Sequence, residues 1–299
     1  PEKVKNAGDF TDQLVDEWLN KHIEAGLQLP WDFPDFCIRP GELTVWTGIE
    51  KSGKTTLLGF ALMALMAQGE RAMVVSLETK ARKTLKKYSR QASGKMLFEK
   101  EIWEECKTDF ERITYRESAT HDILDVAAWL SQRLWLYDHT GIAQWRTLID
   151  DIRWARRRHG ITQIIVDNFM RLGFVKDDYA QQAECVTALS ALAMELDCHI
   201  HLVVHQNKSE GHKGSGGGKR TVSGAFEVIA NAHNIVEVQR DVVKGEKVST
   251  VFQDAKVGRI SDTEMVEELR KLDSVPDGKF ILHAQREGER QNAAKYLWF

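Results

Sequence analysis

The sequence predicts an α/β fold in which helices cover both faces of a mostly parallel sheet. From Gly41 onward, short apolar runs alternate with longer helical stretches, which is the pattern of repeated strand and helix units. The apolar runs are continuous rather than alternating, as expected for strands buried on both faces. We therefore expect a three-layer core.

The composition is that of an ordinary globular chain. Of its 299 residues, 42% are apolar and 28% are charged, values that exclude a disordered or fibrous class. The net charge of −3 indicates no overall basic surface, so a nucleic-acid site would have to be a local patch. The longest apolar run, residues 57–67, is too short to cross a bilayer, and we expect no signal peptide ahead of it. We expect no membrane partner.

The cysteines favour free thiols. Cys37, Cys106, Cys185 and Cys198 are widely spaced and form no Cys-x-x-Cys pair. Two histidines follow Cys198, but the segment has the pattern of a buried strand whose neighbouring residues point to opposite faces. This arrangement disfavours a zinc site.

Residues 1–28 are expected to form a linker helix ahead of the main domain, residues 29–299. Large apolar residues recur at helical spacing across residues 10–23, with Thr11 and Asp12 as candidate caps. Such a stripe needs a partner surface, either on the same domain or on a neighbouring subunit.

Five strands and three helices make up the predicted core. The strands are residues 43–47, 72–77, 163–167, 200–205 and 234–239, and the helices are residues 55–68, 142–159 and 180–196.

The tail after Arg240 is rich in residues that favour strands. Residues 249–255, 279–284 and 295–299 are expected to be antiparallel strands that extend one edge of the sheet. Two basic segments also stand out, a helical stretch at residues 80–95 and a glycine-rich loop at residues 209–220.

A phosphate-binding motif joins the first core strand to the first core helix. Residues 48–55, Gly-Ile-Glu-Lys-Ser-Gly-Lys-Thr, match G-x-x-x-x-G-K-[ST] in the strand-loop-helix context that the motif requires. Loop N–H groups and the helix N-terminus attract phosphate oxygens, Lys54 neutralises the β- and γ-phosphates, and Thr55 offers a hydroxyl to Mg²⁺. ATP or another nucleoside triphosphate with Mg²⁺ is the expected ligand. The candidate binding residues are Gly48, Ser52, Gly53, Lys54, Thr55 and Thr56.

Three more strands lead into polar residues at the carboxyl edge of the sheet. Asp167 is placed to hold Mg²⁺, and Glu78 to orient the attacking water, although a capping role is open for both. His205 can hydrogen-bond the γ-phosphate, with a structural histidine as the alternative. Arg286 and Arg290 follow a late strand and are either solvated charges or an arginine finger for an adjacent subunit.

The order of these motifs resembles the RecA-like motor domain of DnaB-type replicative DNA helicases, which include the Twinkle and phage primase-helicase group. The resemblance runs from about residue 39 to residue 299. Residues 39–48, Arg-Pro-Gly-Glu-Leu-Thr-Val-Trp-Thr-Gly, are similar to the family's first strand, and residues 76–78, Ser-Leu-Glu, to its catalytic glutamate motif. His205 matches its γ-phosphate sensor.

The resemblance implies a composite ATP site between the subunits of a homohexamer. Glu78 would activate water, Lys54 and His205 would contact the phosphates, and Arg286 would be the finger, with Arg290 in reserve. Many members carry a lysine two positions before that arginine, where this chain has Ala284. The aromatic C-terminus resembles a region that stacks on the nucleotide base, which makes Phe299 a further nucleotide-binding candidate.

The resemblance also implies that single-stranded DNA passes through the ring. Translocation would run 5′ to 3′ and unwind replication forks, with a possible primase or loader as partner, in the cytoplasm of a bacterial or phage-infected cell or in the mitochondrial matrix. The expected DNA contacts are Lys208, Lys213, Lys219 and Arg220. Two other functions stay open: a RecA-like recombination or regulatory ATPase without unwinding activity, and a small-molecule P-loop kinase.

Overall fold

In the computed structural model, the chain folds around one eight-stranded sheet with helices on both faces. The structure describes residues 5–19, 26–31, 33, 36–95, 97, 100–175, 178–205, 231–285 and 293–297. The strands within these residues are β1 Leu27–Gln28, β2 Cys37–Ile38, β3 Leu43–Thr47, β4 Ala72–Ser76, β5 Leu134–Leu136, β6 Gln163–Asp167, β7 His199–Val203, β8 Asn234–Arg240, β9 Gly278–Gln285 and β10 Ala293–Leu297. The α-helices are α1 Thr11–Leu19, α2 Lys54–Ala67, α3 Ala81–Ser93, α4 Lys100–Glu105, α5 Asp109–Ser131, α6 Trp145–His159, α7 Tyr179–Leu196, α8 Val242–Lys256 and α9 Asp262–Asp273.

The strand order of the main sheet is β10-β9-β8-β3-β7-β6-β4-β5. All neighbours from β8 to β5 are parallel, whereas β9 is antiparallel to β8 and β10 is antiparallel to β9. β1 and β2 form a separate antiparallel pair. The predicted fold class, a mostly parallel sheet with antiparallel strands at its C-terminal edge, is confirmed.

Each face of the sheet carries its own hydrophobic core. On one face α6 and α7 bury residues such as Ile152 and Leu189. On the other, α2 and α3 bury Leu62 and Tyr88 beside Phe36. Burial of one such side chain stabilises the fold by about 1.5–3 kcal/mol. Because both faces are covered, β3, β6 and β7 are buried along their whole length, which explains the continuous apolar runs in the sequence.

The core strands and helices lie close to their predicted positions, but one predicted strand was wrong. Residues 249–255, which we expected to be a strand, lie inside α8. The β-branched residues Val248, Thr250 and Val251 favour a strand locally. The capped start of the helix outweighs this local preference, because the Asp241 carboxylate accepts a hydrogen bond from the backbone N–H of Lys244 at 2.9 Å.

The paired helices α8 and α9 therefore separate β8 from β9. α9 begins with a capping box in which Ser261 and Glu264 bond each other's backbone N–H groups. The Lys244 ammonium fixes the base of the pair by donating to the Val275 carbonyl at 2.7 Å and by pairing with Asp277 at 2.9 Å.

The N-terminal segment forms a short 3₁₀ turn, Ala7–Phe10, followed by α1. Its apolar residues are solvent-exposed, with Trp18 70% and Leu19 74% accessible. Ile23, which the sequence places on the same stripe, lies outside the described residues. Within the part of the chain that the structure describes, no helix combines the length and apolar character needed to cross a membrane.

Candidate nucleotide-binding site

The polar residues singled out from the sequence meet at one edge of the sheet. The phosphate loop follows β3, and Asp167 is the last residue of β6. Glu78 and His205 each lie two residues beyond a strand, β4 and β7 respectively. Because β3, β7, β6 and β4 are consecutive parallel strands, their carboxyl ends bring these residues together.

Two glycines shape the phosphate loop. Gly48 has a φ of +144°, and a Cβ there would collide with the carbonyl oxygen of Val238 on the neighbouring strand. Gly53 has a φ of +91° and stands immediately before α2. The left-handed backbone that glycine tolerates turns the chain so that the loop precedes the N-terminus of α2, where unpaired N–H groups attract anions.

Lys54 is a buried cation held by the loop itself. Its ammonium group donates to the carbonyl oxygens of Gly48 and Ile49, both at 2.7 Å. Burial lowers the pKa of Lys54 to about 8, although the nearby carboxylates of Asp167, Glu50 and Glu78 favour its charge. A buried positive charge with only carbonyl acceptors is suited to a phosphate.

The residues present fit a nucleotide with its magnesium ion. The Thr55 hydroxyl donates to the Asp167 carboxylate at 2.9 Å, which places two hard oxygen ligands together at the start of α2. Burial raises the pKa of Asp167, and the hydrogen bond from Thr55 opposes that effect. The Ser52 hydroxyl oxygen is buried in the loop and has no hydrogen-bond partner among the described residues, so it can serve a ligand. Thr56 follows in the first turn of α2 and is exposed.

Glu78 is oriented by residues that the sequence analysis missed. The Asn168 amide donates to the Glu78 carboxylate at 2.7 Å, and the Arg171 guanidinium lies 3.8 Å from the same oxygen. Both residues follow Asp167 closely, in the turn after β6. Only the pairing of Ser76 with Asp167 across β4 and β6 shows that this turn faces Glu78.

His205 is a half-buried residue within electrostatic reach of the same groups. Burial lowers its pKa, Lys54 lowers it further, and Glu78 and Asp167 oppose both effects. Its Nδ1 atom is buried and finds no partner in the part of the chain that the structure describes. The unpaired nitrogen is therefore available to a phosphate oxygen.

The remaining candidate residues lie outside the described residues. These are the candidate finger residues Arg286 and Arg290, the aromatic Phe299 and the expected DNA contacts Lys208, Lys213, Lys219 and Arg220. The structure does describe Gln285, the residue before Arg286. Gln285 pairs with Asn234 at the start of β8, at the sheet edge opposite to the phosphate loop.

The histidines near Cys198 take part in buried hydrogen bonds. His199 donates from Nδ1 to the Arg39 carbonyl at 2.6 Å and accepts from the Thr44 hydroxyl at 2.9 Å. His201 accepts from the Trp46 indole at 3.2 Å. All four cysteines are free thiols, and no group of three or more metal-ligating residues occurs among the residues described.

Together, the fold and the loop define a P-loop nucleotide-binding domain with a RecA-like sheet. The chain belongs to the AAA domain family, whose pattern matches residues 12–211. A curated relative, the Twinkle homolog protein, chloroplastic/mitochondrial, of Arabidopsis thaliana, is 24% identical over 245 residues. That match covers 78% of this chain and 33% of the relative, so the chain spans about a third of the relative's length.

Two solved structures share the fold. One is an ATPase domain with a TM-score of 0.69 and 13% identity, which covers 98% of this chain and 100% of its own. The other, described as a DnaB-like replicative helicase with its interactions with primase, has a TM-score of 0.66 and 12% identity, over 97% of this chain and 64% of its own. The resemblance to DnaB-type motor domains that the sequence motifs carry is confirmed by these comparisons.

Proposed function

We propose that this chain is the ATP-hydrolysing motor of a DnaB-type replicative DNA helicase, and that it acts as a ring of six copies on single-stranded DNA. The observation that carries the proposal is the group of residues at the carboxyl edge of the sheet, where Lys54, Thr55, Asp167, Glu78 and His205 are each positioned for one task in phosphoryl transfer.

Nucleotide binding falls to the phosphate loop. Lys54 exchanges its two carbonyl acceptors for phosphate oxygens, and the N–H groups at the start of α2 complete the anion site. Thr55 and Asp167 hold Mg²⁺, which neutralises charge that develops on the phosphates. The likeness to helicase ATPase domains supports ATP as the nucleotide.

Water activation falls to Glu78. Its carboxylate accepts a hydrogen bond from Asn168, which leaves the second oxygen available to orient a water molecule against the terminal phosphate. His205 senses that phosphate through its unpaired Nδ1 atom. The chain continues from His205 into the segment that holds Lys208, Lys213, Lys219 and Arg220, so loss of the phosphate can be transmitted to the proposed DNA contacts.

Arg286 acts on the site of a neighbouring subunit. Gln285 pairs with Asn234, whereas the phosphate loop approaches Val238, which lies four residues, or about 13 Å, further along β8. Since Arg286 follows directly after Gln285, the chain reaches Arg286 from the edge of the sheet away from its own ATP site. A composite site between subunits accounts for this separation, because Arg286 of one subunit would then act at the ATP site of the next. Arg290 is the alternative candidate for the same role.

The exposed apolar side chains of α1 support an assembly of several copies. Leu14, Val15 and Trp18 lie on a helix that leaves them accessible in the single chain. We assign residues 1–28 as a linker that docks on the next subunit and residues 29–299 as the motor domain. Translocation from 5′ to 3′, fork unwinding, and contact with a primase or loader complete the proposed activity.

ATP hydrolysis with and without single-stranded DNA tests the proposal. We expect DNA to stimulate turnover by the parent chain, and Glu78→Gln and Arg286→Ala each to abolish that stimulation while nucleotide binding persists. Lys107→Ala, which removes an exposed charge from a residue that is not one of the groups gathered at the carboxyl edge of the sheet, is the control. Turnover that is independent of DNA and survives Arg286→Ala would leave a general P-loop ATPase.

A further inference from the structure

A basic cavity lies beside α3, on the face of the sheet that also carries α2. It has a volume of about 630 Å³. The described residues that line it include five cations and no carboxylate: Lys83, Lys86, Lys87, Arg90 and Lys95. This charge density is unexpected in a chain whose net charge is −3.

Four of these five cations form no ion pair with a described residue. Lys95 forms an ion pair with Asp122 at 2.8 Å. The other four form no ion pair with any residue that the structure describes. Like charges crowded around one cavity repel each other, and a bound anion would relieve that repulsion.

The shape of the patch matches a chain of phosphates rather than a single ion. Lys83 and Arg90 are seven residues apart on one helix, which separates them by about 10 Å along its axis. Successive phosphates of one nucleic-acid strand lie several ångströms apart, so this face spans more than one phosphate. Lys83, Lys86 and Arg90 are exposed, which leaves room for an extended strand to cross.

The lining also indicates which part of a nucleic acid would be bound. No aromatic ring occurs among the described residues that line the cavity, and the tyrosine of α3, Tyr88, is buried in the core beneath the helix. Binding would therefore use the backbone without base stacking, and would not depend on base sequence.

The cavity adjoins the ATP site. The Gln91 amide, on its wall, donates to the Thr56 carbonyl at 2.8 Å in the first turn of α2. The partly buried Lys87 interacts electrostatically with Asp167. A phosphate bound here lies one helix away from the proposed magnesium ligands.

We propose that the α3 cavity is a second nucleic-acid contact, separate from the segment that follows His205, and that it holds the phosphodiester backbone on the face of the sheet that carries α2 and α3. The proposal rests on the proposed function, because it takes nucleic acid as the substrate. It adds a binding surface on a different element.

Salt-dependent binding of a fluorescent oligothymidine to the full chain tests the proposal. The test variant replaces Lys83, Lys86 and Arg90 by alanine, and a charge-matched control replaces Lys107, Lys247 and Lys256, which are also exposed. With three fewer phosphate contacts, the slope of log K against log salt should become shallower by about 2 in the test variant only, with affinity at low salt about tenfold weaker. Basal ATP hydrolysis should stay at the parent level in both.

Four results would overturn the proposal. If the test variant keeps the parent's salt dependence and affinity, α3 does not contact nucleic acid, and the proposed function still stands. Loss of ring assembly in the test variant would assign the cations to a subunit contact. The third result concerns tripolyphosphate, added while ADP and Mg²⁺ saturate the nucleotide site. If tripolyphosphate stabilises the parent chain against unfolding but not the test variant, and the salt dependence of DNA binding is the same in both, the cavity binds a small anion instead. A parent chain that binds no DNA would defeat the proposed function as well.

Discussion

Single residues at the ATP site are held by neighbours that the sequence motifs do not name. Lys54, Thr55, Glu78 and Asp167 could be selected from the sequence because each stands at a fixed position in a motif or at the end of a strand. The contact between Asn168 and Glu78 could not be predicted from the sequence, because it depends on the turn after β6 facing the end of β4. An asparagine beside an acidic residue carries no comparable signal in the sequence.

Asn168 is expected to contribute to turnover by positioning Glu78. Replacing Asn168 by alanine removes the 2.7 Å hydrogen bond and frees the carboxylate to rotate away from the attacking water. We expect kcat for ATP hydrolysis to fall roughly 10- to 100-fold with little change in KM. Steady-state kinetics measures both constants.

Gln68→Ala is the matched control for Asn168→Ala. It removes an amide whose hydrogen bonds to Gln28 lie at the far end of α2. Its kcat should match that of the parent. An Asn168→Ala variant that raises KM and leaves kcat unchanged would show that Asn168 serves nucleotide binding instead.

At the scale of elements, strands buried on both faces were predictable and the helices outside the core were not. β3 and β6 have the bounds expected from their apolar runs. Residues 249–255, the second half of α8, were predicted to be a strand because the β-branched residues there give the wrong local preference. Its capping by Asp241 and its contact with α9 decide the outcome, and both depend on residues outside the segment.

We expect strand β7 to make the stability of the domain depend on pH. Burial lowers the pKa of His199 from 6.5 to about 4, and the pKa of His201 is lowered as well. Between these values the unfolded chain takes up a proton at His199 while the folded chain does not. The stabilisation is therefore complete above pH 6.5 and is lost as the pH falls towards 4, by on the order of 3 kcal/mol for His199 alone.

The replacement His199→Gln should flatten this dependence. Urea unfolding at pH 7 and pH 4.5 gives the free energy of unfolding, and we expect the difference between the two values to be about 2–3 kcal/mol smaller in the variant than in the parent. His121→Gln, at a histidine whose side chain is 80% exposed, should keep the parent's pH dependence. If the free energy of unfolding depends on pH equally in the parent and in His199→Gln, the pH dependence does not come from His199.

For the whole molecule, the sheet order supports the proposal that the nucleotide site is completed by Arg286 of a neighbouring subunit. The parallel strands direct the phosphate loop, Asp167, Glu78 and His205 to one edge, and the alternation of strands and helices was sufficient to predict this. The antiparallel β9 runs back and delivers Gln285 to the opposite edge. The pairing partner of β9 could not be read from its own residues, so the separation was not predictable.

A subunit-mixing experiment tests the composite site most directly. Glu78→Gln and Arg286→Ala chains should each be inactive in DNA-stimulated ATP hydrolysis. In a ring assembled from equal amounts of the two, about a quarter of the interfaces combine an intact Glu78 with an intact Arg286 from the neighbour. We predict that mixing restores about that fraction of the parent's rate. A mixture as inactive as its components, although mass measurement shows mixed rings, would contradict the account.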